Sequence, residues 1–293
     1  MNRKDKKHVE EIPKSSTVKA YFYGRTVEIN DAPVPRQTTV VLPGHRYMDL
    51  VTGEVKKMEK HSQNRSDNLK SVKATMANLR RLIGANFRGG RTELWVTLTY
   101  SCLMRKTAIV YRDFKVFMQR VRKQEWGQYL EYLAVIEPQA TGSWHLHVLF
   151  KRNDRKSLYV ANSEMEQLWR HGFTKTKRLK QTDNVAAYLI AYLTNLAGDT
   201  DKTAKIPKQI VKGGRLYLYP ANIRIFRHSR GIKQPIVRRD TKRKILTENG
   251  IGNDADQRYQ RKYRRHDQVI TITTEFYNLN TLGKEGEDHE EDA

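Results

Sequence analysis

Two histidines separated by one residue interrupt the apolar run at 144–150 and are the first candidates for chemistry in this chain. Side chains alternate between the two faces of a strand, so His145 and His147 are predicted to point to the same side. Two neighbouring imidazoles supply half of a metal site. They are also compatible with a hydrogen-bonded pair of core histidines. The histidines alone leave both interpretations open.

A carboxylate at the end of the preceding strand favours the metal interpretation. Glu137 is followed by a short loop with proline and glycine, which predicts a hairpin. An antiparallel register that pairs Glu137 with His145 also pairs Val135 with His147, and it places all four on one face. Two imidazoles and a carboxylate around one point suit a divalent cation with open coordination positions. Without that register, Glu137 is a surface turn residue.

The third group of reactive side chains is a pair of tyrosines, Tyr188 and Tyr192, in a stretch predicted to be helical from about 185 to 196. Residues four apart lie on one helix face, with Cβ atoms about 5–6 Å apart. An aromatic stripe in a core explains this spacing as well. Tyrosine can also form covalent intermediates, and a metal ion that polarises a phosphodiester would allow its hydroxyl to attack phosphorus.

The elements that would position these residues follow from hydrophobic periodicity. Helices are predicted at 66–86, 111–124, 162–169 and 185–196. Strands are predicted at 94–100, 129–137, 144–150, 173–179, 215–219, 222–227 and 269–277, with a hairpin that turns at Gly24. This pattern favours an α+β fold in which a central antiparallel sheet carries flanking helices.

Charge indicates the kind of partner. The 293 residues contain 55 Lys and Arg against 32 Asp and Glu, a formal charge of +23, which is far more than solubility requires. Nucleic acid is the first candidate partner, and an anionic membrane surface is the second. A single cysteine, Cys102, excludes an internal disulfide and a cysteine-based zinc module.

Targeting and motor motifs are missing from the sequence. No apolar run approaches the roughly 18 residues of a membrane span, and the basic N-terminus lacks the apolar core of a signal peptide. A cytoplasmic location is therefore expected. There is no phosphate-binding loop of the G-x-x-x-x-G-K-[ST] type, so the chain carries no recognisable ATPase or helicase.

Composition suggests four regions. They are an N-terminal β and loop region at 1–60, a nuclease-like region at 61–230, a basic region with a final strand at 231–282, and an acidic tail at 283–293. Residues 224–265 alone hold 14 Lys and Arg against four Asp and Glu. The tail is expected to be disordered and solubilising.

Three segments, taken in order, resemble the motifs of HUH endonucleases. They are the strand at 95–99, Glu137 with the histidine strand at 144–148, and the tyrosine segment at 188–192. The closest branch comprises the rolling-circle replication initiators of bacterial plasmids and phages that carry two tyrosines on one helix. Connecting segments at 168–173, 215–220 and 230–232 also resemble that family, and the resemblance covers roughly 70–235.

The resemblance implies a fold, a metal and a reaction. The fold would be the RRM-like HUH nuclease fold, with His145, His147 and Glu137 holding Mg²⁺ or Mn²⁺. Tyr188 or Tyr192 would attack single-stranded or extruded hairpin DNA at a replication origin, leaving a 5′-phosphotyrosine and a free 3′-hydroxyl. The other tyrosine would act after one round of synthesis. A host helicase and polymerase would supply unwinding and synthesis.

The expected DNA contacts lie beside these motifs. They are four cations and two strand threonines, namely Lys175, Lys177, Arg178, Lys180, Thr97 and Thr99. A solvated basic face explains the cations equally well. Ala191 departs from the family pattern, because relatives often have lysine directly before the second tyrosine.

Three other functions remain open from the sequence. One is a related HUH enzyme, either a transposase or a mobilisation relaxase, which differs in biology more than in chemistry. Another is a non-catalytic basic nucleic-acid-binding regulator in which the histidines and tyrosines are core residues. The last is a membrane-surface protein, for which no amphipathic anchor stands out.

Overall fold

A computed structural model describes residues 9–33, 38–59, 62–139, 141–180, 216–265 and 268–279. The chain divides into two compact units. The central unit is Ser62–Gln234, and the terminal unit combines Met1–His61 with Pro235–Ala293. Each unit has a hydrophobic core of its own.

Strands and helices are numbered in chain order through both units. The strands are β1 (Thr17–Tyr23), β2 (Thr26–Asn30), β3 (Thr39–Leu42), β4 (Arg46–Asp49), β5 (Val55–Lys57), β6 (Glu93–Thr99), β7 (Leu130–Pro138), β8 (Trp144–Arg152), β9 (Thr174–Arg178), β10 (Phe226–His228), β11 (Ile236–Thr241), β12 (Gln257–Arg265) and β13 (Gln268–Asn278). The α-helices are α1 (Leu69–Asn86), α2 (Thr107–Arg122), α3 (Asn162–Trp169) and α4 (Lys242–Glu248). Short 3-10 helices occupy Arg65–Asn68, Trp126–Tyr129 and Leu216–Leu218.

The central unit is built on a five-stranded antiparallel sheet with the strand order β10-β7-β8-β6-β9. Apolar side chains at alternate positions of β8 cover one face of this sheet, and α2 and α3 pack there. Phe117 of α2 lies 6.4 Å from Phe150 of β8 and 5.8 Å from Trp169 of α3, measured between ring centroids. The α+β architecture with a central antiparallel sheet, predicted from the sequence, is confirmed.

The hairpin register predicted between β7 and β8 is also confirmed. Glu137 pairs with His145, and Val135 pairs with His147. A tight turn sets this register, since the backbone N–H of Gln139 donates to the carbonyl of Ser143 at 2.7 Å. Gly142 takes a φ of 81° in that turn, a left-handed conformation that favours glycine.

A second glycine places α3 and β9 against the end of β6. Gly172 has a φ of 146°, and a Cβ atom there would lie 2.4 Å from the backbone nitrogen of Ser101 and 2.5 Å from the carbonyl oxygen of Thr99. No side chain fits into that space. The carbonyl of Phe173 also accepts a hydrogen bond from the Thr99 backbone N–H at 2.9 Å.

One predicted strand of the central unit is wrong. Instead of a strand at 215–219, residues Leu216–Leu218 form a 3-10 helix. The buried Tyr219 side chain explains the difference, because its hydroxyl donates to the carbonyl of Ile136 and its ring packs on Trp144. The helix predicted at 185–196 and the acidic tail at 283–293 lie outside the described residues.

The terminal unit joins segments that are far apart in sequence. Its five-stranded sheet has the order β11-β1-β2-β13-β12, and a separate three-stranded sheet contains β3, β4 and β5. The hairpin predicted to turn at Gly24 forms β1 and β2, which pair with β11 and β13 respectively. Among the described residues of both units, no helix is long and apolar enough to cross a membrane.

Candidate metal centre

The register of β7 and β8 brings three side chains with metal-binding atoms together. One ligand atom from each of Glu137, His145 and His147 lies within 4.8 Å of the other two. The Oε2 atom of Glu137 is 2.8 Å from Nε2 of His147 and 3.2 Å from Nε2 of His145. Their side chains are 7%, 5% and 13% exposed for Glu137, His147 and His145. This group could hold a metal ion.

The protonation of the buried pair suits a cation. Burial lowers the pKa of His147, so its imidazole is neutral near neutral pH. Burial raises the pKa of Glu137, but hydrogen bonds and positive charge from His145 and His147 outweigh it and lower that pKa to about 2. A neutral imidazole and an ionised carboxylate are the forms that bind metals. The donor set present therefore fits a divalent ion.

Side chains around the cluster contact the second nitrogen of each histidine. Nδ1 of His147 faces the hydroxyl of Thr97 at 3.2 Å and the indole N–H of Trp95 at 3.4 Å. Nδ1 of His145 lies 3.5 Å from the amide nitrogen of Gln139. Such contacts fix the orientation of an imidazole and raise metal affinity.

Trp95 and Gln139 were not among the predicted site residues, although alternation could have identified both. Trp95 lies two residues before Thr97, and Gln139 lies two residues after Glu137, so each shares a strand face with a residue already chosen. The missing information was the pairing of β6 with β8, which places Thr97 opposite His147 and Thr99 opposite His145.

The structure separates the predicted DNA contacts by face. Register places Lys175 beside Thr97 and Lys177 beside Trp95, on the face of the sheet that carries the histidines. Both lysines are exposed, and the Lys177 ammonium lies 5.8 Å from the centre of the Trp95 ring.

Two of the predicted contacts are not brought to that face by the strand register. Arg178 alternates to the opposite face, and Lys180 follows the end of β9. Both side chains are exposed. The two tyrosines proposed as nucleophiles, Tyr188 and Tyr192, lie outside the described residues.

The central unit resembles a family of replication proteins. Residues 93–197 match the model of the family described as Replication-associated protein ORF2. The matched range includes β6, the whole Glu137–His145–His147 cluster, and Tyr188 and Tyr192. No curated protein and no solved structure gave a significant match. The family match supports a role in replication initiation and the binding of DNA.

Proposed function

We propose that the protein is a rolling-circle replication initiator that nicks and rejoins one strand of origin DNA in a metal-dependent reaction. The convergence of Glu137, His145 and His147 within a range similar to replication-associated proteins carries this proposal. The central unit would be the nuclease domain. Mg²⁺ or Mn²⁺ would occupy the site, since both accept mixed nitrogen and carboxylate ligands with open positions.

The reaction would use Tyr188 or Tyr192 as the nucleophile. The phenol oxygen forms a bond to phosphorus while the bond from phosphorus to the 3′ oxygen breaks, giving a 5′-phosphotyrosine. The phenol proton is lost, and the departing 3′ oxygen gains a proton to become a free hydroxyl. A bound divalent ion would supply Lewis-acid polarisation of the scissile phosphate. Rejoining reverses these bond changes and releases the tyrosine.

The chain's own residues supply the remaining requirements. Lys175 and Lys177 are exposed cations on the face of the sheet that carries the cluster, where they can hold a DNA backbone by phosphate contacts. The spacing of Tyr188 and Tyr192 would let two hydroxyls act in turn at one centre. A second cleavage is what releases a joined circle after one round of synthesis. Unwinding would come from a host helicase.

The direct test is cleavage of supercoiled DNA that contains the origin, in the presence of Mn²⁺. We expect relaxed circles, together with protein attached covalently to a 5′ end. Chelation with EDTA should abolish both products. The double variant His145→Ala/His147→Ala should form no adduct, and an adduct undiminished in that variant would contradict the proposal.

Single tyrosine variants identify the nucleophile. Tyr188→Phe and Tyr192→Phe each remove one hydroxyl, and at least one of them should lose the covalent adduct. The matched control is Tyr159→Phe, because Tyr159 is a tyrosine of the central unit with 83% of its surface exposed. It should cleave as the parent does. Retention of the adduct in the double variant Tyr188→Phe/Tyr192→Phe would exclude both tyrosines.

A further inference from the structure

Part of the hairpin formed by β12 and β13 extends beyond the sheet of the terminal unit. The ladder of β13 with β2 covers Thr274 to Asn278, whereas its ladder with β12 continues to Gln268. Asp31 marks the point of departure, since its carboxylate accepts the backbone N–H of Thr273 at 2.8 Å. Residues 261–265 and 268–272, here called the β-arm, pair with each other alone in the described part of the chain.

The base of the β-arm is anchored on both faces of the sheet. On one face Tyr259 stacks on Phe276, with ring centroids 5.5 Å apart and planes at 29°. On the other face the guanidinium of Arg258 forms an ion pair with the buried carboxylate of Glu275 at 3.4 Å. An arm held in this way keeps a fixed direction relative to its sheet.

The composition of the β-arm is strongly basic. Strand β12 carries five Lys and Arg and no acid in nine residues, and the facing residues 268–272 are uncharged. Arg261 and Lys262 are exposed, as are Thr271 and Val269 on the partner strand. The Arg261 guanidinium lies 5.3 Å from the centre of the Tyr259 ring.

The dimensions of the β-arm suit a groove of duplex DNA. Paired strands lie about 4.8 Å apart and rise about 3.4 Å per residue, so five residue pairs extend roughly 17 Å. A B-form major groove is about 12 Å wide and accepts a two-stranded ribbon with its side chains. Cations along such a ribbon meet phosphates on both walls of the groove.

We propose that the β-arm binds double-stranded DNA by lying in a major groove, so that the terminal unit holds the duplex beside the cleavage site. The choice of DNA over other polyanions rests on the proposed function. The geometry of an extended, basic, two-stranded ribbon selects the duplex over a single strand. Phosphate contacts from Arg261 and Lys262 would position the arm, and neighbouring side chains would meet base edges.

Binding of a short DNA duplex, measured by fluorescence anisotropy in EDTA over a series of KCl concentrations, tests the β-arm. Two double variants remove its cations: Arg261→Gln/Lys262→Gln and Arg264→Gln/Arg265→Gln. We expect each to weaken duplex binding and to lower the slope of log affinity against log salt by about two. The control Lys115→Gln/Lys123→Gln removes two exposed cations from the region of α2, and its slope should match that of the parent.

Each other outcome overturns the proposal. A slope unchanged in both arm variants means that the β-arm does not contact phosphate. An equal loss of affinity for a single-stranded oligonucleotide means that the arm does not select duplex. Self-association of the variants with unchanged DNA binding would mean that the cations only protect an exposed sheet edge. Because EDTA prevents cleavage, arm-dependent binding by a protein that never nicks DNA would contradict the proposed function alone.

Discussion

The hydroxyl oxygen of Thr97 lies 3.2 Å from Nδ1 of His147, across the pairing of β6 with β8. The indole N–H of Trp95, 3.4 Å from the same nitrogen, can only donate a hydrogen bond. If Nε2 of His147 binds a cation, Nδ1 carries the proton, and the threonine oxygen is then the partner able to accept it. Thr97, expected from the sequence to contact DNA, is therefore also a positioning residue for a proposed metal ligand.

Removal of the Thr97 hydroxyl should weaken metal binding. We expect Thr97→Val to lower Mn²⁺ affinity about 10–100-fold, the usual effect of losing a group that orients a metal ligand. Isothermal titration calorimetry of the purified protein measures this without any DNA. Thr97→Ser should restore most of the affinity. Thr99→Val is the matched control, since Thr99 lies on the same strand and face but opposite His145. Equal effects of Thr97→Val and Thr99→Val would contradict the assignment.

Neutralising the carboxylate should cost more than removing its neighbours' support. Glu137 has an ionised form stabilised by both histidines, which lower its pKa to about 2. Glu137→Gln keeps the shape and removes the charge, so we expect Mn²⁺ binding to fall below detection in the same titration. Gln139→Glu leaves Glu137 in place and adds a carboxylate near His145. It should bind Mn²⁺ at least as tightly as the parent, and weaker binding would argue against a cation at this point.

The stability of the metal-free protein should fall as the pH falls. The folded-state pKa of His147 lies below its usual 6.5, so stability is complete above pH 6.5 and is lost progressively below it. The pKa of Glu137 is lowered from 4.5 to about 2, which adds a second loss between those values. Thermal midpoints measured in EDTA across this range test both. His147→Gln should flatten the upper part of the profile, whereas the exposed-residue control His228→Gln should not.

Gly172 should tolerate alanine far less than another glycine of similar conformation. Gly90 has a φ of 136°, close to the 146° of Gly172, but no atom lies within 4 Å of where its Cβ would be. We expect Gly90→Ala to cost about 1–2 kcal/mol from backbone strain alone. Gly172→Ala should cost about 3 kcal/mol or more, because the backbone of β6 must also move. Urea unfolding compares the two variants, and equal costs would show that the close approach is relieved without penalty.

The buried lysine of the terminal unit should matter more than an exposed one in the same helix. The ammonium of Lys242 lies 2.9 Å from the Glu275 carboxylate, and both side chains are fully buried. Lys242→Met leaves that carboxylate without its main partner and should cost about 3–5 kcal/mol. Lys244 pairs with Asp240 at 2.9 Å but is 55% exposed, so Lys244→Met should cost about 0–1 kcal/mol. Chemical unfolding of both variants gives the comparison.

Local pattern was sufficient for the hairpin at the centre of the candidate site. Alternation put His145 and His147 on one face, and a short loop with Gly142 limited the registers available to Glu137. Both are effects between residues close in sequence, so they can be predicted from the sequence. The strand predicted at 215–219 failed for the opposite reason, because the burial of Tyr219 against Ile136 and Trp144 overrides local β propensity.

The sequence by itself determined the donor set, the alternation of the strands and the basic character of the chain. Only the tertiary structure decided which strands are neighbours. The pairing of β6 with β8 and β9 brings Thr97 to His147 and Lys175 beside them, and the pairing of β2 with β13 creates the base of the β-arm. Backbone hydrogen bonds are alike for every strand pair. The choice among distant partners is therefore made by the packing of whole faces, which no single segment contains.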